Sequence, residues 1–160
     1  MQKNWKWVLC LGVLSALLLG GCEKKQTETA DLVLVTDGSE VASDAMYQSI
    51  WGGLARYGDE SGLTYQAYVP ARCTTEEYEK TIKEAVQKGA SIVVCAGTNM
   101  SHAVYDAQRD WKEVRFLLLE AQPESEDGHG RIRGNTECLE IDAAQAGYLA
   151  GYAAVQAGYR

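Results

Sequence analysis

The chain has 160 residues and a formal net charge of −7, from 15 Lys and Arg against 22 Asp and Glu. This length suits one folded domain with a single core. The acidic balance and the absence of a basic stripe argue against nucleic-acid binding, which depends on neutralising phosphates with Lys and Arg.

The chain begins with a positively charged and then apolar leader. Two lysines precede an apolar run over 8–19, which is shorter than the about 20 residues that span a bilayer as a helix. This arrangement is typical of a secretory signal peptide over 1–21. The leader ends in LGGC, which resembles a bacterial lipobox, in which the Cys22 sulfur takes a diacylglycerol. A plain signal peptide with an incidental cysteine is the alternative.

The segment after the leader predicts attachment to a membrane. Residues 22–30 are polar and lack apolar periodicity, so we interpret them as a flexible tether. A lipidated Cys22 would carry several acyl chains, and stable anchoring generally needs more than one. We therefore expect residues 31–160 to be held at the extracytoplasmic face of the cell membrane.

Strand and helix patterns alternate in the next part of the chain. Branched apolar runs predict strands at 31–36 and 64–69. Between them, apolar residues recur at intervals of three and four, which predicts a helix that either Ser43 or Asp44 can cap.

A second helix and a third strand follow. Thr74 and Glu77 have the spacing of a capping box, and Gly89 stands where a helix often ends. The apolar run over 91–96 predicts a strand that is covered on both faces.

The last third of the chain continues the alternation. Ser101 can cap a helix, strands are predicted at 115–119 and 131–137, and a final helix over 142–156. Alternating strands and helices with short connections predict an α/β fold, a doubly wound, Rossmann-like parallel sheet with helices on both faces.

The final helix is rich in Ala and Gly. Gly147 and Gly151 are four residues apart, as in a G-x-x-x-G membrane helix. Three polar residues interrupt its apolar surface: Asp142, Gln145 and Gln156. We therefore expect this helix to pack closely on a sheet or a hinge.

Ligands in an open parallel sheet bind beyond the carboxyl ends of the strands. Three stretches after predicted strands offer polar or ring-stacking side chains: Asp37, Ser39, Asp44, Tyr47, Thr98, Asn99, Met100, Glu120 and Gln122. Glu120 is the strongest candidate, because a carboxylate at a strand end rarely serves packing.

Several of these candidates have a structural alternative. Asp44 can cap its helix, and Asn99 can close its turn through its own side chain. Tyr47 and Met100 can lie in the core.

The sequence contains no motif for catalysis. There is no G-x-S-x-G, no G-x-x-x-x-G-K-[ST] and no G-x-G-x-x-G after the first strand. The cysteines beyond the leader, Cys73, Cys95 and Cys138, lack C-x-x-C spacing, so no zinc site is predicted, and a Cys73–Cys138 disulfide stays open. We therefore predict a binding protein without catalytic residues, cofactor or metal.

Three segments of the chain resemble motifs of one bacterial protein family. AGYLAGYAA at 146–154 resembles its EAxYLAGxAA segment. ASDAMYQSIWGGL is similar to its D-x-S-F-N-Q-S-x-W-x-G-L, with Met46 and Tyr47 at the Phe and Asn positions. CAGTNMSHAV and VRFLLLE place Met100 at an aromatic position and Glu120 at an acidic one.

The chain thus resembles the bacterial substrate-binding lipoproteins called basic membrane proteins, PnrA-like or TmpC-like. The resemblance, which runs from about residue 32 onward, implies a function in transport. Members of that family are lipid-anchored, serve the permease of an ABC transporter and bind purine nucleosides between two Rossmann-like lobes of the periplasmic-binding-protein type I fold. The chain would then supply the first lobe without the second. A surface-anchored sensor or scaffold module with no transport role is the alternative, and an enzyme on the same sheet is a third.

Overall fold

The computed structural model describes residues 29–159, which form a five-stranded, fully parallel sheet. The strands are β1 (Leu32–Val35), β2 (Tyr65–Tyr68), β3 (Ile92–Ala96), β4 (Arg115–Leu119) and β5 (Thr136–Leu139), in the order β2-β1-β3-β4-β5. The α-helices of this part are α1 (Ala45–Ser61), α2 (Thr75–Gln87), α3 (Ser101–Asp110) and α4 (Ala143–Gln156). The predicted parallel α/β fold is confirmed. The predicted leader and Cys22 lie outside the described residues.

Helices cover both faces of the sheet. On one face, Leu34 of β1 shares a buried cluster with Leu54 of α1. On the other, Val35 shares a cluster with Ile82 of α2 and Val104 of α3. Neighbouring residues of one strand point to opposite faces, so a strand covered on both sides must be apolar throughout. The doubly wound arrangement is therefore confirmed.

The strand order creates a switch point between β1 and β3. These strands are paired, with Val35 opposite Cys95 near their carboxyl ends. The chain leaves β1 for β2 on one side and leaves β3 for β4 on the other. The two connections diverge, which in sheets of this kind opens a crevice where ligands bind.

Local signals determine both ends of α1, and of the two predicted caps it is Asp44 that forms. The Asp44 carboxylate accepts hydrogen bonds from the backbone N–H of Met46 (2.8 Å) and of Tyr47 (3.1 Å), which makes it the N-cap. Gly62 ends the helix with φ 70°, in the left-handed region that favours glycine.

The predicted capping box of α2 is half formed. The Thr74 hydroxyl accepts from the Glu77 N–H at 3.4 Å. The Glu77 carboxylate does not reach back, because it pairs instead with Lys80 (3.2 Å) and Arg72 (3.3 Å). The hydrogen bonds from Lys80 and then Arg72 lower the pKa of Glu77.

Two predicted boundaries are wrong. Ser101 does not cap α3 but is its first residue, because the 3-10 turn Thr98–Met100 leads directly into the helix. β5 begins at Thr136, five residues later than predicted. The Gln108 amide of α3 binds the carbonyl of residue 131 (2.7 Å) and the N–H of residue 133 (2.9 Å), so this stretch is held to a helix and does not pair as a strand.

The position of α4 also differs from the prediction of close packing. Asp142 caps it as expected, accepting from the N–H groups of residues 144 and 145. All its residues are exposed apart from Ala154, which is half-buried. Within 29–159, no helix combines the length and the apolar content that a membrane span requires.

The cysteines of the described part are free thiols. Cys73 is exposed and Cys138 half-buried, and they do not form the disulfide that the sequence left open. Cys95 lies in the core, and burial raises the pKa of its thiol to about 12.

Candidate functional site

A pocket of about 650 Å³ opens at the carboxyl edge of the sheet, next to the ends of β3, β4 and β5. Its size falls in the range of small-molecule sites. Glu120 and Gln122 line it after β4, Glu140 lines it after β5, and Thr98 and Ser101 line it at the start of α3. Three connections thus converge where a parallel sheet binds ligands.

Other openings lie away from this edge. One of about 400 Å³ lies at the amino-terminal end of β4 and β5, near Lys112 and Gly134. Another of about 720 Å³ follows the edge strand β2. The first lies at the opposite ends of the strands, and the second runs along the whole outer edge of the sheet, from residues 29–30 to Val69. The pocket beside Glu120 lies at the carboxyl ends, where three connections converge, and it is therefore the candidate ligand site.

Glu120 has an unusual backbone. Its φ of 59° is the one positive value of a non-glycine residue in the described part of the chain. Its N–H donates to the carbonyl of Leu139 (2.8 Å), which fixes the turn after β4 beside β5. A glycine would adopt this conformation at less cost, so the carboxylate is placed against backbone preference, as side chains at functional sites often are.

The turn before α3 forms another side of the pocket. Gly97 has φ 91° and donates its N–H to the carbonyl of Leu119 (2.9 Å), which ties the ends of β3 and β4 together. Asn99 is exposed, and its side chain forms no hydrogen bond with a described residue, so it does not close the turn. Met100 is fully buried beneath the turn in the core shared with α2.

Ser101 and His102 connect α3 to the pocket. Ser101 is 8% exposed, and its hydroxyl has no hydrogen-bond partner among residues 29–159. The His102 Nδ1 lies 2.6 Å from the carbonyl oxygen of Glu124. Since a carbonyl only accepts, Nδ1 carries the hydrogen, and Nε2 of the neutral ring is an acceptor.

The turn after β1 is held from both faces of the sheet. The Asp37 N–H donates to the Tyr47 hydroxyl (2.9 Å), which in turn donates to the carbonyl of Ala96 (3.3 Å). From the opposite face, the Tyr78 hydroxyl donates to the Asp37 carbonyl (3.0 Å). Burial raises the pKa of Tyr47, and burial first and then Cys73 and Asp37 raise that of Tyr78 to about 12. Both phenols are therefore neutral, and their hydrogen bonds hold the turn after β1 in place at the switch point.

The structure brings only some predicted residues together. Glu120 lines the pocket, while Asp37 is half-buried at the switch point. Asp44 is engaged as a helix cap, and Met46, 40% exposed, lies on the first turn of the same helix. Tyr47 has no exposed surface with which to touch a ligand.

Sequence reasoning missed several residues that shape the pocket, including Glu140 and His102, which line it. Glu124 and Glu126 also line it, although neither was among the candidates predicted from the sequence. Gln108 anchors the far end of the connection that carries them. The acidic run that contains them was the signal for Glu124 and Glu126, whereas no local pattern points to Gln108.

Comparisons with known proteins give a family and a fold neighbour. Residues 30–157 match the family model described as ABC transporter substrate-binding protein PnrA-like. No curated protein matches the chain. A probable glycerol dehydrogenase from Sinorhizobium meliloti 1021 is similar with a TM-score of 0.39 and 17% identity, over 82% of this chain and 37% of that one. At this TM-score and identity, the structural likeness supports no conclusion about function.

Proposed function

The chain belongs to the PnrA-like family of ABC transporter substrate-binding proteins, and from that premise we propose that it is a lipid-anchored extracytoplasmic protein that delivers a purine nucleoside or a similar small polar ligand to an ABC importer. The observation that carries the proposal is the family match over 30–157. We propose a binding role without catalysis, because the family is one of binding proteins.

The pocket supports a small polar ligand. Carboxylates, a side-chain amide and three residues with hydroxyl groups line it, and such groups bind the hydroxyls and ring nitrogens of a nucleoside. Residues 31–160 would form one substrate-binding lobe behind a tether at 22–30. Closure of such lobes over a ligand is a hinge motion.

Anchoring is tested at Cys22. In a bacterial host, we expect the chain in the membrane fraction, with mass spectrometry showing cleavage after Gly21 and a diacylglycerol on Cys22. Cys22→Ser should abolish acylation and leave the leader attached, whereas Cys73→Ser should be processed normally, since Cys73 lies in the folded part. An uncleaved wild-type leader with an unmodified Cys22 thiol would refute the anchoring proposal.

Ligand binding is tested by calorimetric titration of the full chain in detergent with adenosine, guanosine and inosine. We expect saturable binding that Glu120→Ala weakens about tenfold, which corresponds to a lost hydrogen bond to a charged group. Glu113→Ala is the matched control, because Glu113 is an exposed carboxylate at the opposite end of β4. Absence of binding by all three nucleosides would reject the nucleoside specificity.

A surface sensor or scaffold module is the second candidate. Helix α4 favours it by exposing large apolar side chains: Tyr148, Leu149, Tyr152 and Val155. Exposed apolar patches often mark protein contacts. A chain that binds no small molecule in the titrations would favour this alternative.

A further inference from the structure

The opening of about 400 Å³ at the amino-terminal edge of the sheet is lined by positive charge. It lies between the end of α3 and the starts of β4 and β5. Three cations line it, Lys112, Arg115 and Arg133, beside one carboxylate, that of Glu113. This cluster is unusual on a chain whose net charge is −7.

Cations without a partner are concentrated at this opening. Within 29–159, one group of Lys and Arg side chains pairs with carboxylates: Arg56, Arg72, Lys80, Lys88 and Arg109. The others form no ion pair with a residue of that range: Lys83, Lys112, Arg115, Arg131 and Arg133. The two side-chain amides of the lining, Gln108 and Asn135, already bind backbone groups. The cations are therefore the groups that can receive a ligand.

Two buried polar groups without partners lie at the same place. Arg133 Nε is buried and has no hydrogen-bond partner in the described part of the chain. The same holds for the hydroxyl of Thr136, a residue that is 3% exposed and directly follows Asn135 of the lining. Buried polar groups are normally hydrogen-bonded, because leaving one unpaired costs free energy. Since a guanidinium only donates, the partner that Arg133 lacks is an acceptor.

A phosphate group meets these requirements. The guanidinium presents its N–H groups as a planar fork that can bind two phosphate oxygens, and hydrogen bonds between charged groups are the stronger ones. Lys112 and Arg115 add positive charge in the same opening. A phosphate seated against Arg133 would supply the missing acceptor and compensate the unpaired cations.

The position of the opening indicates where such phosphates would come from. β1 begins at Leu32, so the tether at 22–30 enters the sheet at its amino-terminal edge, where the opening lies. A tether of this length extends over at most about 30 Å, which keeps that edge close to the bilayer that would hold Cys22. Only β3 separates β1 from β4, and neighbouring strands are about 4.8 Å apart, so the opening lies about 10–15 Å from the entry of the tether.

We propose that this opening binds the phosphate group of an anionic phospholipid in the membrane that anchors the chain. The inference rests on the anchoring part of the proposed function and adds a second contact with the bilayer besides the acyl chains on Cys22. Each Lys or Arg near an anionic lipid surface strengthens such a contact about fivefold. The pocket beside Glu120 lies at the opposite edge of the sheet, so the contact leaves it accessible to a ligand.

The test uses the full, acylated chain in nanodiscs of phosphatidylcholine with rising fractions of phosphatidylglycerol. We expect amide hydrogen exchange at residues 133–136 to slow as the anionic fraction rises, and high salt to abolish the effect by screening. Lys112→Gln and Arg115→Gln should each raise the fraction that gives half-maximal slowing about fivefold. Arg72→Gln is the matched control, because Arg72 is an exposed cation between β2 and α2, at the carboxyl edge, and it should leave that fraction unchanged.

Arg133→Lys separates a specific site from a general attraction between charges. The substitution keeps the positive charge and removes the Nε–H, so we expect the fraction for half-maximal slowing to rise about tenfold. An unchanged fraction would show that Arg133 does not hold a phosphate and would overturn the site.

The remaining outcomes distinguish this inference from the anchoring on which it rests. An acylated chain whose exchange is the same with and without phosphatidylglycerol overturns the inference and leaves the anchoring intact. Inorganic phosphate that slows the exchange to the same extent in discs of phosphatidylcholine alone overturns the lipid as the partner. A chain without acyl groups on Cys22 overturns both proposals.

Discussion

Replacing Tyr47 with alanine is expected to lower the free energy of unfolding by about 3–5 kcal/mol, and replacing it with phenylalanine by about 1–3 kcal/mol. Tyr47 is fully buried, so alanine removes a large aromatic ring from the core between α1 and the sheet. Phenylalanine keeps the ring and removes only the hydroxyl. Urea denaturation followed by circular dichroism gives both values.

The phenylalanine variant isolates the contribution of the two hydrogen bonds that the Tyr47 hydroxyl forms at the switch point. Without the hydroxyl, the Asp37 N–H and the Ala96 carbonyl each lose a hydrogen bond in a place with little access to water. Tyr57→Phe is the matched control, since Tyr57 lies on the same helix, is 53% exposed and has no hydrogen bond from its hydroxyl to a described residue. Equal stability of Tyr47→Phe and wild type would show that the hydrogen bonds of the Tyr47 hydroxyl contribute nothing to the free energy of unfolding.

The pH dependence of stability provides a second test of the buried Tyr47 phenol. Burial raises the pKa of Tyr47 above its usual 10.0, so the fold favours the neutral phenol. A group with a raised folded pKa contributes stability that is fully present below the unfolded pKa and is lost as the pH rises through the folded one. Wild type should therefore lose stability above about pH 10, and Tyr47→Phe should lose less over the same range.

The parts of the fold that local patterns predict are those that neighbouring residues determine. The all-apolar run of β3 requires cover on both faces, and Asp44 caps α1 through N–H groups only two and three residues away. Helix α4 begins at its predicted cap for the same reason, yet its surroundings were predicted wrongly. An Ala-rich pattern specifies a helix but does not say which surface covers it.

The parts that the sequence does not reveal depend on contacts between distant segments. Tyr47 and Tyr78 are 31 positions apart, yet both bind the backbone of Asp37. Glu120 was predicted from its position at a strand end, but its left-handed backbone was not. The Ser101 hydroxyl resembles a helix cap in sequence and lies unpaired beside a pocket in the structure.

Gln108→Met is expected to lower the free energy of unfolding by about 2–5 kcal/mol, because it leaves two buried or half-buried backbone groups without partners. Gln108 is fully buried, and its amide bonds the carbonyl of Arg131 and the N–H of Arg133. Methionine has a similar volume and replaces only the polar end. Gln87→Met, at an exposed position that ends α2, should change stability by less than about 0.5 kcal/mol.

The same variant should also weaken ligand binding at the pocket beside Glu120, although Gln108 does not line that pocket. The connection from β4 to β5 carries Glu124 and Glu126, and it is held to α3 at one end by His102 and at the other by Gln108. Losing the Gln108 anchor lets this wall move, so binding must first restrain it at an entropic cost. Hydrogen exchange should rise at residues 131–133 in Gln108→Met and stay unchanged in Gln87→Met. Faster exchange with unchanged affinity would show that the anchor stabilises the fold without positioning the pocket.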